Sequence, residues 1–389
     1  MKKLVKSIFY FALALLTLLL ICPLFRTRFN QLGQRWAFIL ILSSCITILL
    51  TPVFRSLAWR LKILDIPDKR KAHGSPTPLL GGLAIYFGVS VSLGFYAVFS
   101  RPLLALVIAG TLILGIGILD DSRGASALLR LILQILAVVI VISNGIHFVF
   151  LPSGPWGILG EWLLTLLWIL GITNAVNFLD GLDGLATGSC AIMAFYLGVI
   201  AFQSSQNFLG WGLAAIAGAC LGFLPYNFRS RDASIFLGDA GSTYLGFMLA
   251  SLAVMGHWGS DNFVKTFTPP LLIFGLLIFD LIHISFDRIM SKKVSTFKEW
   301  IDFVGKDHLH HRLENLGMSK KEVVMFIFIF ELCLGAGAVL IRQIHAMQAI
   351  LLLFQGIGMI VLFNFLEHLG NGILKEKIDT DQEHSFWLF

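Results

Sequence analysis

Charge is what this chain has least of. Only 13% of its 389 residues are charged, against 57% hydrophobic. Length alone would allow two or three soluble domains, but so few ions could not clothe their surfaces. Paired cysteines are also missing. Cys22, Cys45, Cys190, Cys220 and Cys333 all sit in apolar stretches without paired or metal-like spacing, so they read as small hydrophobes rather than a disulfide framework or a thiolate metal site. No basic domain stands outside the apolar runs. The net charge of +6 therefore reads as topology and attraction to anionic lipid rather than nucleic-acid binding. Tandem repeats and low-complexity tracts are absent as well.

What is present is apolar sequence in runs about long enough to cross a bilayer. Lipid cannot satisfy backbone polar groups, and runs this continuous are not the alternating strands of a barrel. The expected fold is an all-α polytopic integral membrane protein of about 11–12 transmembrane helices. The segments are Ser7–Phe25, Trp36–Phe54, Leu80–Phe99, Pro102–Leu119, Leu128–Ser143, Trp162–Asn174, Leu185–Phe202, Phe208–Pro225, Thr243–Met255, Phe267–Phe286, Val323–Ile341 and Ala349–Leu366. The N-terminal MKKLVK resembles the start of a signal peptide. The apolar run behind it is longer than an h-region and has no small-x-small cleavage site, so a retained first span is expected. Twelve spans put both termini on one side. Most of the 29 lysines and arginines fall in loops on that side, which the positive-inside rule makes cytoplasmic.

Five polar clusters share that face: the loop with Lys71 and His73, the pair Asp120 and Asp121, the stretch NAVNFLDGLDGLATG (Asn174 to Gly188), the loop with Asp239, and DHLHHR from Asp307. In NAVNFLDGLDGLATG, Asn174, Asn177, Asp180 and Asp183 recur every third residue, close to one helical face. Each cluster has a plain reading: a span ending in water, a turn capping a helix, a solvated loop. Together they form a hard-oxygen site suited to magnesium, which takes one or two carboxylates with substrate phosphates and water. Zinc fits less well, with no thiolate beside the histidines and no HEXXH spacing. Basic side chains around the carboxylates would balance phosphate charge, and phosphoryl transfer at a membrane surface is the reaction class that fits. A transporter with intramembrane carboxylates is the rival, but it predicts polar groups at mid-span rather than at one face.

The motifs DIPDKRKAHGSPTPLLGG, GILDDSRG, NAVNFLDGLDGLATG, GFLPYNFRSRDASIFLGDAGSTYLGF and DHLHHRLENLG stand in the order found in the polyprenyl-phosphate N-acetylhexosamine-1-phosphate transferases. The chain resembles that family, which includes WecA, TagO and MraY, over about Leu61 to Lys320. The resemblance implies transfer of a sugar-1-phosphate from a UDP-sugar to undecaprenyl phosphate, with release of UMP, at a bacterial cytoplasmic membrane. It implies magnesium, with manganese as the alternative ion, held by Asp239 with Asn177. It places Asp120 and Asp121 at the lipid phosphate, Asp180 and Asp183 between metal and nucleotide, Asn227 and Phe236 at uracil, and His308, His310 and His311 near sugar and phosphates. Lys71 and His73 fall on the family's basic loop. DHLHHRL is similar to the WecA/TagO branch, whereas MraY-like enzymes carry three adjacent histidines, so UDP-N-acetylglucosamine is expected as donor ahead of the muramoyl-pentapeptide. Direct attack by the lipid phosphate and a two-step route through an aspartate both stay open. The implied organisation is an additional N-terminal span in residues 1–35, the transferase domain in 36–342, and a last helix with a polar tail in 343–389, with a homodimer as one arrangement.

Outside those motifs, Asp280, His283 and Asp287 share a helical face and either support the site or lock the bundle. Glu331 inside a span is read as pairing with a neighbour or lining a cavity. His147, His257 and His345 are expected to do nothing chemical.

Overall fold

A computed structural model describes residues 2–67, 75–95, 100–229, 232–259, 263–294, 296, 299, 305 and 307–386. Lys71 and His73 lie outside the described residues. Each of the twelve expected apolar segments falls on helix where it is described, and among the described residues strand is confined to one two-residue antiparallel pair, β1 (Leu64–Asp65) with β2 (Thr77–Pro78). Among the described residues seven helices are long and apolar enough to span a membrane, or up to nine if each of two bent pairs is one span.

The chain opens with α1 (Lys2–Ile21) and α2 (Pro23–Gln31), bent by 68° where Pro23 starts a new helix. Proline suits a first helical position, because the missing N–H would have no partner there anyway. Next come α3 (Arg35–Leu61), α4 (Gly81–Gly94), α5 (Arg101–Arg123), α6 (Ala127–Ser143), α7 (Pro155–Leu179), α8 (Leu185–Gln203) and α9 (Asn207–Asn227). Ser100 and Ser126 cap α5 and α6 by accepting from the N–H of Leu103 and Leu129. The expected Phe267–Phe286 span is two helices, α11 (Phe263–Ile273) and α12 (Gly275–Met290), bent by 75° at Phe274. The short α13 (Leu309–Asn315) precedes α14 (Lys320–Leu340) and α15 (Ala346–Phe386).

The centre is α10 (Gly238–Met255), in which every residue but Asp239 and Met255 is buried. Between helices in lipid there is no hydrophobic drive, so association relies on close van der Waals contact, which small side chains permit. The sequence of α10 supplies Ala240, Gly241, Ser242, Gly246, Ala250 and Ser251, and the helix packs against α4, α5, α7, α8 and α9. The periphery is the reverse. Leu159, Leu163 and Leu167 make an exposed stripe along α7, as expected of a lipid-facing side.

Candidate active site

The last turns of α5 and α7 meet the first turns of α8 and α10 at one end of the bundle. Asp121 binds both of its oxygens there, accepting from the N–H of Asp239 at 2.9 Å and of Ala240 at 3.2 Å. A carboxylate on the first N–H groups of a helix satisfies donors that have no helical partner and meets the positive end of the dipole. Asp121 therefore fixes the head of α10. Gly238 has φ +75°, and an added Cβ would lie 2.6 Å from Asp121 Oδ2, so this approach requires glycine. Asp120 is engaged as well, accepting from Ala125 N–H at 2.7 Å and from Arg130 Nη1 at 2.6 Å.

Asp239 is the open member of the group. Its side chain is 40% exposed, against 10% for Asp120. Arg130 Nη1 lies 3.5 Å from its Oδ2, and Asn177 Nδ2 donates to its Oδ1 at 2.9 Å and to Ser242 Oγ at 2.9 Å. Asn177 thus ties the Asp239 carboxylate to Ser242 through its amide nitrogen. Asp180 terminates α7. Enclosure by protein, and then the carboxylates of Asp239, Asp121 and Asp183, push the Asp180 carboxyl well above its ordinary range.

Asp183 accepts from Ala233 N–H at 2.8 Å and so ties the turn before α8 to the loop before α10. Asn227 is 2% exposed, accepting from Gly184 N–H at 3.0 Å and Thr187 Oγ1 at 3.4 Å and donating to Ile235 O at 3.2 Å. In the structure these partners make Asn227 part of the framework that joins the head of α8 to the loop before α10. Phe236 is half-buried, and its backbone pairs with Pro78 and Gly81, the start of α4. Asn174 donates to Gln134 Oε1 of α6 at 3.1 Å and stays outside the carboxylate group.

The histidine segment reaches the same place from the other end of the chain. His310 packs on Gly181 so closely that a Cβ there would collide with its Nε2, and His308 lies against Phe178 with ring centroids 4.8 Å apart. The three histidines have different surroundings. His308 Nδ1 is 3.0 Å from Asp280 Oδ2, and His311 Nδ1 is 3.2 Å from Glu314 Oε2 on its own helix. His310 is 2% exposed with both ring nitrogens unpartnered among the described residues. Burial first, then the neighbouring His311 and His308, lower its pKa to about 3, so its imidazole is neutral. Asp307 is held by a bidentate pair from Arg288, at 2.8 Å for each bond. Burial alone would raise the Asp307 carboxyl, but the guanidinium holds it below its ordinary value.

The model of glycosyl transferase family 4 matches residues 103–257, from α5 through α10. A probable undecaprenyl-phosphate N-acetylglucosaminyl 1-phosphate transferase of Bacillus subtilis is 31% identical over 349 residues, covering 87% of this chain and 92% of that protein. The chain belongs to glycosyl transferase family 4. Other family 4 relatives are the decaprenyl-phosphate N-acetylglucosaminephosphotransferase of Mycobacterium leprae, 34% identical over 76% of this chain and 81% of that protein, and the undecaprenyl-phosphate alpha-N-acetylglucosaminyl 1-phosphate transferase of Escherichia coli, 28% identical over 75% and 80%.

Within this family 4 chain, the structure brings together Asp120, Asp121, Asn177, Asp180, Asp183 and Asp239 with the histidine segment. Arg130 was not singled out by sequence reasoning. Its signal was available: it is the one charged residue of α6, seated among aliphatic side chains. Arg288 had no comparable mark, since it stands near a helix end where arginine is ordinary.

Proposed function

We propose that this protein transfers a sugar-1-phosphate, N-acetylglucosamine-1-phosphate before other N-acetylhexosamines, from a UDP-sugar to a polyprenyl phosphate such as undecaprenyl phosphate, releasing UMP. The observation that carries the reading is the meeting of five carboxylates and a histidine segment at one end of an apolar bundle, in a chain whose relatives are named for that transfer. The transporter reading would need polar groups at mid-span, and the muramoyl-pentapeptide reading has no support among these relatives. The membrane is the bacterial cytoplasmic membrane, with the site at the cytoplasmic surface, as the distribution of basic loops favours.

The donor set fits magnesium. Asp239 is a half-exposed hard-oxygen ligand beside a crowd of carboxylates, and Arg130 is the cation ion-paired to them among the described residues. No group of three or more His, Cys, Asp or Glu among those residues could hold a metal ion. Asp239 would hold the ion, with substrate phosphates and water as its other ligands, the habit of magnesium at phosphoryl-transfer sites. When bound, magnesium or manganese would neutralise the pyrophosphate of the donor and the phosphate of departing UMP.

The chain's own groups do the rest. Asp121 and Asn177 hold Asp239 at the helix head, and Arg130 reaches its edge with a guanidinium suited to phosphate oxygens. An oxygen of the lipid phosphate forms the new bond to the β-phosphorus, the bond from that phosphorus to the bridging oxygen breaks, and UMP leaves with that oxygen. Each oxygen of Asp120 and of Asp121 accepts a hydrogen bond, which lowers its nucleophilicity and favours direct attack over an intermediate on either of these two. Purified protein given undecaprenyl phosphate, magnesium and a panel of UDP-sugars should release UMP and form the lipid-linked pyrophosphoryl sugar with UDP-N-acetylglucosamine. Release with none of the donors would overturn the reading, and a trapped phospho-enzyme would overturn direct attack.

A further inference from the structure

His308 is the histidine of the cluster whose ring is held by a carboxylate from a different helix. Asp280, one turn into α12, uses both oxygens on this segment: Oδ2 lies 3.0 Å from His308 Nδ1, and Oδ1 accepts the N–H of Leu309 at 2.9 Å. The two side chains are 12% and 13% exposed. A carboxylate can only accept, so in the neutral ring the proton sits on Nδ1 and Nε2 keeps its lone pair. Phe178, from the last turn of α7, fixes the ring plane. His308 is thereby set in place, orientation and tautomer.

Asp280 is itself anchored. Arg312 Nη2 lies 3.6 Å from its Oδ1, while Arg312 Nη1 reaches Glu367 Oε2 at 3.1 Å and Asn364 Oδ1 at 3.3 Å, both on α15. Arg312 and Glu367 are 12% and 7% exposed. An arginine between two carboxylates in so enclosed a place is costly to disturb, because removing one partner leaves the other buried without its counter-charge. α12, α13 and α15 all lie beyond the residues 103–257 matched by the family model.

The geometry points to Asp280 as a positioning residue of the transfer site: it holds His308 with Nε2 free to accept a hydrogen bond from a substrate hydroxyl or protonated phosphate, and Arg312 braces it against the C-terminal helix through Glu367. This inference rests on the transferase reading. It assigns a task to the α12 face that the sequence left divided between support and bundle locking.

Asp280→Asn tests it. The amide oxygen can still accept from Leu309 N–H, but the amide NH₂ now faces Nδ1 and drives the ring proton to Nε2. In full-length protein with saturating UDP-N-acetylglucosamine, undecaprenyl phosphate and magnesium, kcat should fall by about 10²–10⁴-fold while both KM values stay within about twofold. His308→Ala should lose a similar amount, and Asp280→Asn on the His308→Ala background should cost nothing more, since the two act as a unit. Asp280→Glu, which restores an acceptor, should recover at least about tenfold over Asp280→Asn. Near wild-type kcat in Asp280→Asn, or a loss that adds in full on His308→Ala, would overturn the inference. If Asp280→Asn does not fold, the Asp280→Glu rate decides: a rate no better than His308→Ala alone counts against positioning. A wild-type protein that released no UMP would remove the transferase reading and this inference together, whereas an active wild type with an active Asp280→Asn removes the inference alone.

Discussion

The two ends of the bundle use polar side chains in opposite ways. At the end away from the carboxylates, polar groups close on one another. Gln206 donates to His257 O at 2.7 Å and accepts from His257 N–H at 2.8 Å, stapling the α8–α9 turn to the end of α10. Glu161, 5% exposed, accepts from the N–H of Phe150 and Leu151 at 2.6 and 2.8 Å. Arg101 donates to Asn144 at 2.9 Å. At the carboxylate end, capacity is left over: Asp239 is partly open, Asp180 is crowded by like charge, and His310 has two unpartnered ring nitrogens. Since buried polar groups are ordinarily paired, unspent capacity in titratable side chains, more than the number of polar residues, separates a working end from a structural one.

Substitutions can break the contrast. The largest effect is expected from Asp239→Ala: UMP release should fall by at least about 10³-fold, with membrane insertion and yield unchanged, and near-normal turnover at limiting magnesium would discard the metal assignment. Arg130→Gln comes next. It removes a charge-assisted bond worth about 1.5–3 kcal/mol, so kcat/KM should drop by roughly 10–10²-fold, with a smaller drop for Arg130→Lys. Asp180 supplies a proton signal. Its carboxyl is raised above its ordinary value, so it binds protons at pH values where a free aspartate would not. A cation nearby favours the ionised form, so magnesium binding should release up to about one proton. Calorimetry in two buffers of different ionisation heat would see it, and Asp180→Asn should abolish it.

His310 gives an effect on stability. Its pKa is about 3 in the fold against about 6.5 unfolded. Between those values the unfolded chain binds the extra proton, so stability is full above about pH 6.5 and is lost as pH falls toward 3, by about 1 kcal/mol per unit. A melting series in detergent should show a shallower acid loss for His310→Gln than for wild type. The smallest effect belongs to the closed end: Gln206→Ala should cost about 1 kcal/mol of stability and leave kcat unchanged. A large activity loss there would erase the distinction between the ends.

Hydrophobic run length was enough to locate all twelve helical segments, because lipid enforces helix wherever the backbone is apolar for long enough. The same reasoning took Phe267–Phe286, like Ser7–Phe25, as one span, and each is bent. The bend at Phe274 falls between the pair Pro269 and Pro270 inside α11 and Gly275 at the head of α12, so it carries a local mark, as the bend at Pro23 does, that run length alone passes over. Site residues were legible where polarity clashed with an apolar setting, as at Asp120, Asp121 and Asp180. Which partner each would meet was not. Arg130 lies 109 positions from Asp239, and Asn227 looks like any exposed amide until the head of α8 and the loop before α10 close around it. The histidines, similar on paper, divide into one held by Asp280, one without a hydrogen-bond partner among the described residues and one tied to its own helix.

α10 carries Asp239 yet offers almost no surface to lipid. Membrane thickness acts on a protein through its lipid-facing helices, by tilt and by local stretching or thinning of the bilayer. Such forces fall on α7 and α15, whose apolar stripes face outward, and reach α10 only after passing through the helices that surround it. The carboxylate at its head is thereby insulated from acyl-chain length, so one chain could keep its site geometry in bilayers of different composition.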